Sequence, residues 1–270
     1  MAYMFYRCSS LTSINLENID TRNVIYMNNI FSECTNLISI DISRFNTSNV
    51  ESMDFMFYRC NSLISIDLKN FDTKNVKSMS NMFFGCSKIS SINTSKFNTS
   101  NVVYMNFMFS SCKSLTSIDL KNFDTKNVKS MINMFSGCSN LSSIDISGFN
   151  TSNVENMAYM FSSCNSLTSI YLKNFDTKNV QSMSCMFYGC LKLSSIDLSS
   201  FNIAKLKDID FIFYNCKNLS YIDISSFTNS LKYEEVFIGI NSYGTIIVNE
   251  DLVETIKSLL NENWNITIKE

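Results

Sequence analysis

A 26-residue pattern is written nine times along this chain, and its cysteines mark the step: Cys8, Cys34, Cys60, Cys86, Cys112, Cys138, Cys164, Cys190 and Cys216. The clearest copy, residues 53–78, reads MDFMFYRCNSLISIDLKNFDTKNVKS. A strict period in this range means that each copy is one supersecondary unit stacked on the next, a solenoid and not one compact core. A repeated surface suits binding better than catalysis, which needs a singular constellation of groups.

In the third copy the apolar positions are Met53, Met56, Phe57, Cys60, Leu63, Ile66, Leu68, Phe71 and Val76. Ile66 and Leu68 alternate around Asp67, the period of a strand. Val76, Met79, Met82 and Phe83 recur at helical spacing, which predicts a short helix or 3₁₀ turn with Thr73 and Asn75 placed to cap it. Each unit then supplies one short strand and one helical return, and neither buries its inner face alone. Stacking places strand on strand at about 4.8 Å, so nine units span roughly 45 Å.

An apolar share of 45% is ample for such a core, and a net charge of −2 gives no electrostatic attraction to nucleic acid or an anionic membrane. No apolar run is long enough to span a bilayer. The first residues, MAYMFYRCSS, lack the regions of a signal peptide and already belong to a repeat, so the chain reads as a mature or excised piece of something longer. Histidine is absent, which removes the commonest general base and metal ligand.

The string L-x-x-I-x-L-x-x-F, with M-F-x-x-C before it and D-T-x-N-V after it, is a leucine-rich-repeat signature with Phe where Asn or Cys often stands. Together these motifs resemble the BspA-like leucine-rich-repeat surface proteins, in the variant found in mycoplasma lipoproteins, gut bacteria and parasitic protists. The resemblance covers residues 1 to about 227, with seven or more copies matching at many positions. It implies a secreted or surface-anchored protein that adheres to host proteins, other microbes or matrix.

A second period lies inside the first. The third, fifth and seventh copies carry LKNFDTKNVKS or LKNFDTKNVQS (68–78, 120–130, 172–182), and the copies between them carry F-N-T-S-N-V. Lys69, Lys121 and Lys173 therefore fall on alternate rungs, about 10 Å apart, which eases repulsion between like charges; recent duplication of a pair explains the same pattern. The repeat decays in the eighth copy, at Ile203, Lys205, Leu206, Ile209 and Ile212, and is lost after Phe227. Residues 245–248 read as a strand. Asn249 caps a helix with the apolar face Leu252, Val253, Ile256, Leu259 and Leu260, and Trp264, Ile266 and Ile268 alternate as a last strand. The expected organisation is a solenoid over 1–231 and a strand-helix-strand capping segment over 232–270. At the other end Met1 already occupies a repeat position, which predicts fraying, self-association or a missing upstream segment.

The column cysteines lack the close pairs of a zinc motif and read as buried thiols. Cys185, outside the column, is the best candidate for an exposed reactive thiol. The Met and Phe columns read as core. Asn23, Asn49, Asn75, Asn101, Asn127, Asn153 and Asn179 read as an amide ladder satisfying loop backbone. Asn46, Asn98 and Asn150 begin N-T-S triplets, glycosylation acceptors only in a eukaryotic secretory pathway.

Asp41, Asp67, Asp119, Asp145, Asp197 and Asp223 share one strand position with Asn15, Asn93 and Tyr171. That position lies between two inward residues and faces out, beside a serine column that Tyr221 interrupts. Parallel columns do not converge on a calcium ion. The candidate partner-binding residues are Asp67, Asp119, Asp145, Tyr171, Asp197 and Tyr221, with the tyrosines as anchors.

The sequence therefore predicts an α/β repeat protein: a leucine-rich-repeat-like solenoid with one parallel β-sheet face, short helices or turns opposite, and a C-terminal α/β cap. A parallel β-helix with more than one strand per rung is the alternative, recognisable by a second continuous sheet in place of the Met-x-x-Met-Phe helices. The expected function is non-enzymatic recognition or adhesion at a cell surface or outside the cell, with a protein ligand. No cofactor, metal, nucleic acid or membrane insertion is expected for this segment. A structural spacer displaying another domain is the alternative.

Overall fold

A helix is about 10 Å across and packs no closer than about 8 Å to its neighbour, so a straight stack with rungs at about 4.8 Å has no room for one on every rung. The computed structural model, which describes residues 1–269, resolves this conflict with turns. In the third repeat alternate amides reach the next rung: Met53 to Ser78 O at 3.1 Å, Phe55 to Ser80 O at 2.9 Å, Phe57 to Met82 O at 2.9 Å and Arg59 to Phe84 O at 2.6 Å. The amides between them close successive turns: Met56 to Met53 O, Tyr58 to Phe55 O and Cys60 to Phe57 O. Phe55 and Arg59 take φ of 58° and 55°, in the left-handed region. The predicted helix is thus corrected to a train of β-turns bonded between rungs. The capping role for Thr73 is corrected too, since its Oγ1 donates to Asn98 O at 2.9 Å in the next repeat and accepts from the amide of the same residue at 2.8 Å.

A second ladder runs along the rod through Tyr26, Ser52, Ser78, Tyr104, Ser130, Asn156, Ser182 and Asp208. It consists of isolated one-residue parallel bridges and never widens into a strand, so it is not the second sheet of a β-helix.

On the opposite side the parallel sheet is regular only toward the C-terminus. There β1 (Ser195–Asp197), β2 (Tyr221–Asp223), β3 (Gly244–Val248) and β4 (Trp264–Ile268) pair in the order β1-β2-β3-β4, all parallel. Earlier rungs keep sparser links, such as Ile38 to Thr12 O and Ile64 to Ile38 O, both 3.1 Å. The fold is a leucine-rich-repeat-like solenoid, with a parallel sheet face and turns opposite.

The core is one continuous column set. Met53, Met56, Phe57, Cys60, Leu63 and Val76, and their counterparts through the inner rungs, are fully buried. One phenylalanine per rung stacks on the next from Phe5 to Phe213 and on to Phe237, with centroids 5.4 Å to 6.4 Å apart. The stack and the turn glycine Gly239 (φ 76°) carry a degenerate tenth rung past residue 231. Beyond it β3, a 3₁₀ turn (Glu250–Leu252), α1 (Val253–Leu259) and β4 follow in order. Asn249 caps the 3₁₀ turn by accepting from Asp251 N, and Leu252 and Ile256 are buried. Gly244 permits the closest approach in this segment, because a Cβ there would stand 2.3 Å from Ser220 O and 2.8 Å from the Trp264 ring.

Candidate functional site

The aspartate column closes turns. Each acid accepts from the backbone amide two residues on: Asp41 from Ser43, Asp67 from Lys69, Asp119 from Lys121, Asp145 from Ser147, Asp197 from Ser199 and Asp223 from Ser225, at 2.9–3.1 Å. Asn15 and Asn93 do the same at their rungs. These are Asx-turns, which bend the chain out of the strand. A second such column follows five residues later, where Asn46, Asp72, Asn98, Asp124, Asn150 and Asp176 hold the next corner. Sequence reading missed this role, although its signal, Asp or Asn followed two residues later by Lys or Ser, recurs through the chain.

The electrostatics agree. The Lys69 ammonium and amide hold the Asp67 carboxyl below the usual range, and the ion pair is 2.8 Å long. The Ser147 hydroxyl and amide do the same for Asp145. At Asp197 burial pushes the pKa up, but Ser199 and Lys173, 3.4 Å away, outweigh it and leave it lowered. Asp67, Asp119 and Asp145 are exposed, Asp197 is half-buried, and Asp223 is 7% exposed and turned away from solvent.

The two tyrosines depart from this scheme. Tyr171 stands where the other rungs have a turn-closing Asp or Asn and is 56% exposed, directly over Asp197 in the column. Tyr221 is 39% exposed one rung further, at the start of β2. Burial first, then the neighbouring charges of Asp223 and Asp197, raises the Tyr221 pKa, while Lys173 opposes them. The structure therefore brings Tyr171, Lys173, Asp197 and Tyr221 into one patch. Asp145 lies one rung before Tyr171, at the edge of the patch, and Asp67 and Asp119 stand farther along the column.

All ten cysteines are free. The column thiols from Cys34 to Cys216 are buried, and each Sγ donates to a phenylalanine carbonyl of the preceding rung, as Cys138 does to Phe109 O at 3.1 Å. Burial pushes the Cys34 thiol up to about 11 and Cys138 to about 12. Cys185 is corrected from an exposed to a buried thiol, 6% exposed: its short side chain stands in the left-handed turn column (φ 54°) among the larger side chains of Tyr159, Tyr188, Phe211 and Tyr214. Cys8 alone is exposed. Ellman's reagent at mildly alkaline pH should therefore titrate one thiol rapidly in the native protein and all ten after denaturation. Two or more fast thiols in the native state contradict the packing.

Six of the seven asparagines read as a ladder form one: Asn49, Asn75, Asn101, Asn127, Asn153 and Asn179 each donate Nδ2 to a carbonyl 27 residues back, at 2.7–2.8 Å, whereas Asn23 has no preceding rung among the described residues to bond. Among the described residues no helix is long and apolar enough to cross a membrane.

The family described as "Mycoplasma protein of unknown function, DUF285" matches residues 1–117, 61–169 and 139–245. The chain belongs to this family. Its fold is similar to a leucine-rich repeat protein from Bacteroides ovatus, at 17% identity and a TM-score of 0.52, covering 100% of this chain and 87% of that one. A leucine rich cell surface protein from Faecalibacterium prausnitzii is matched at 19% identity, a TM-score of 0.23 and 72% and 75% coverage. No curated protein matches the chain. The family and the Bacteroides likeness agree with the BspA-like leucine-rich-repeat resemblance read from the repeats.

Proposed function

We infer that this DUF285 chain is a non-enzymatic recognition module, displayed on a cell surface or secreted, that binds a protein partner through its strand-side face. The observation that carries this is the pair of exposed tyrosines, Tyr171 and Tyr221, set around Asp197 where the other rungs carry small or turn-closing residues. Tyrosine presents a large, stiff, amphipathic surface and is enriched at interface anchors. Asp67, Asp119 and Asp145 form the polar margin of that face. Every candidate acid recurs at 26-residue steps, which suits an extended contact and no single reaction centre. In this reading the segment from residue 232 onward closes the C-terminal end of the solenoid, its degenerate tenth rung included.

The test is binding to immobilised extracellular-matrix proteins. Tyr171→Ala with Tyr221→Ala should weaken the captured interaction by about tenfold or more while leaving the melting temperature unchanged, because both rings are outside the core. Unchanged affinity refutes the patch. The second reading, a stiff spacer, is favoured by the four turn-side amide bonds that tie each inner rung to the next. A chain that binds none of these proteins yet unfolds as one stiff unit supports it.

A further inference from the structure

Between the asparagine ladder and the ridge of one-residue bridges runs a groove of about 790 Å³ on the rod's edge. It is lined by Asn23, Asn49, Asn75 and Asn101 of the ladder and by Ile25, Glu51, Lys77 and Val103 beside them. From Asn49 onward each amide is locked by Nδ2 donating to the rung behind: to Arg22 O at 2.8 Å, Ser48 O at 2.7 Å and Lys74 O at 2.7 Å. That bond uses one N–H. The second N–H and the Oδ1 of Asn49, Asn75 and Asn101 make no hydrogen bond among the described residues, and all three side chains belong to exposed residues. The row therefore offers one donor and one acceptor per rung, at a pitch of about 4.8 Å.

At the far end of the ladder the chain itself occupies such an amide. Lys205 stands where the repeat has asparagine, and its Nζ lies 2.7 Å from Asn179 Oδ1. Asn179 still holds Ser152 O at 2.8 Å. A ladder amide can thus accept an incoming donor without leaving its place, and Asn179, half-buried beneath Lys205, shows how such a donor covers it.

We propose that this groove binds a neutral, linear polysaccharide, whose hydroxyls bond the amide row and whose C–H faces rest on Ile25 and Val103. Three observations select that class. A hydroxyl both donates and accepts, as the free half of each amide does, whereas a cationic chain satisfies only the acceptors. The charged wall residues Glu51 and Lys77 are paired with each other at 2.8 Å and leave no net charge to attract an ionic ligand. The third is pitch: an extended peptide advances about 3.3 Å per residue, so its same-side groups recur at about 6.6 Å and fall out of step with the rungs. In an extended β-1,4-linked chain alternate rings turn over, so same-side hydroxyls recur every second ring, close to two rung spacings, and stay in step with every second amide. This site lies apart from the tyrosine patch and does not depend on it.

The experiment titrates the whole chain with cellohexaose and chitohexaose, followed by amide NMR shifts, with decalysine as the competing probe. Lys77→Trp and Val103→Trp fill the groove separately and leave the ladder asparagines in place. The expected result is saturable shifts in the Asn49, Asn75 and Asn101 side-chain amides with at least one hexasaccharide. Each blocked variant should lose binding by about tenfold or more at an unchanged melting temperature. The proposal is overturned if neither sugar binds at millimolar concentration, if both blocked variants bind as the wild type does, or if decalysine displaces the sugar.

Discussion

Phe109→Ala should cost about 3–5 kcal/mol, a large share of the roughly 5–15 kcal/mol that holds a typical domain folded. Phe109 is fully buried in the middle of the stack, with the rings of Phe83 and Phe135 at 5.8 Å and 5.6 Å. Its amide is bonded to Met134 O at 2.9 Å and its carbonyl to the Cys138 thiol, both in the next rung, while Phe83 N in the preceding rung holds the adjoining Met108 O, so the walls of the cavity resist collapse. In a one-dimensional array stability is a sum of rung and nearest-neighbour terms, and this substitution weakens two neighbour contacts at once. Phe5→Ala removes a partly covered ring with one stacked neighbour, at 5.4 Å, and should cost less than half as much. Urea unfolding followed by far-ultraviolet circular dichroism and by the single tryptophan, Trp264, measures both effects. The tryptophan reports the C-terminal end, so in Phe109→Ala the two probes should separate as the rod divides. Equal losses for the two variants would show that the phenylalanine column does not couple the rungs.

The apolar columns were legible because stacking turns a sequence period directly into burial. Met53, Phe57, Cys60 and Leu63 could only lie over their counterparts, and they do. The backbone path between them was less legible. The i, i+3, i+6, i+7 spacing of Val76, Met79, Met82 and Phe83 satisfies a helix, and it equally satisfies a train of turns whose amides leave the rung. The discriminating signal was present. Asn29, Asn81 and Asn133 occupy one left-handed column, and Gly85, Gly137 and Gly189 occupy the next, four residues on. Asparagine and glycine are the residues that adopt that conformation at least cost. Phe55, Phe107, Tyr159 and Phe211 hide the signal in alternate copies, since bulky side chains rarely stand at positive φ.

The surface shows the same limit in another form. Outward-facing Asp67 and Asp145 were legible as exposed, but exposure alone does not distinguish an acid offered to a partner from one committed to its own turn. Tyr171 and Tyr221 stand out in the structure for the reason they stood out in the sequence, which is that they break a column. Cys185 broke a column too and is buried, although Tyr159 one rung before it in that column is 41% exposed, because its short side chain sits among the larger Tyr159, Tyr188, Phe211 and Tyr214. An interruption therefore carries meaning only once the side chains around it are known.

Thr125→Val should destabilise the rod by about 2 to 4 kcal/mol, one to two for each backbone group left without a partner. Thr125 is buried, and its Oγ1 donates to Asn150 O at 2.9 Å while accepting from Asn150 N at 2.8 Å. One hydroxyl thus satisfies both polar groups of a residue in the next rung. Thr47, Thr73 and Thr177 repeat the arrangement along the stack. Valine has nearly the same shape, so the loss isolates the hydrogen bonds from any cavity. Thr125→Ser keeps the hydroxyl, removes one methyl and should cost about 1 kcal/mol. The two variants are compared by urea unfolding and by hydrogen exchange at the Asn150 amide, which should lose protection in valine and keep it in serine. A valine variant as stable as the serine one, with Asn150 still protected, would mean that the stacked apolar columns alone set the register and that the buried threonines merely occupy space between them.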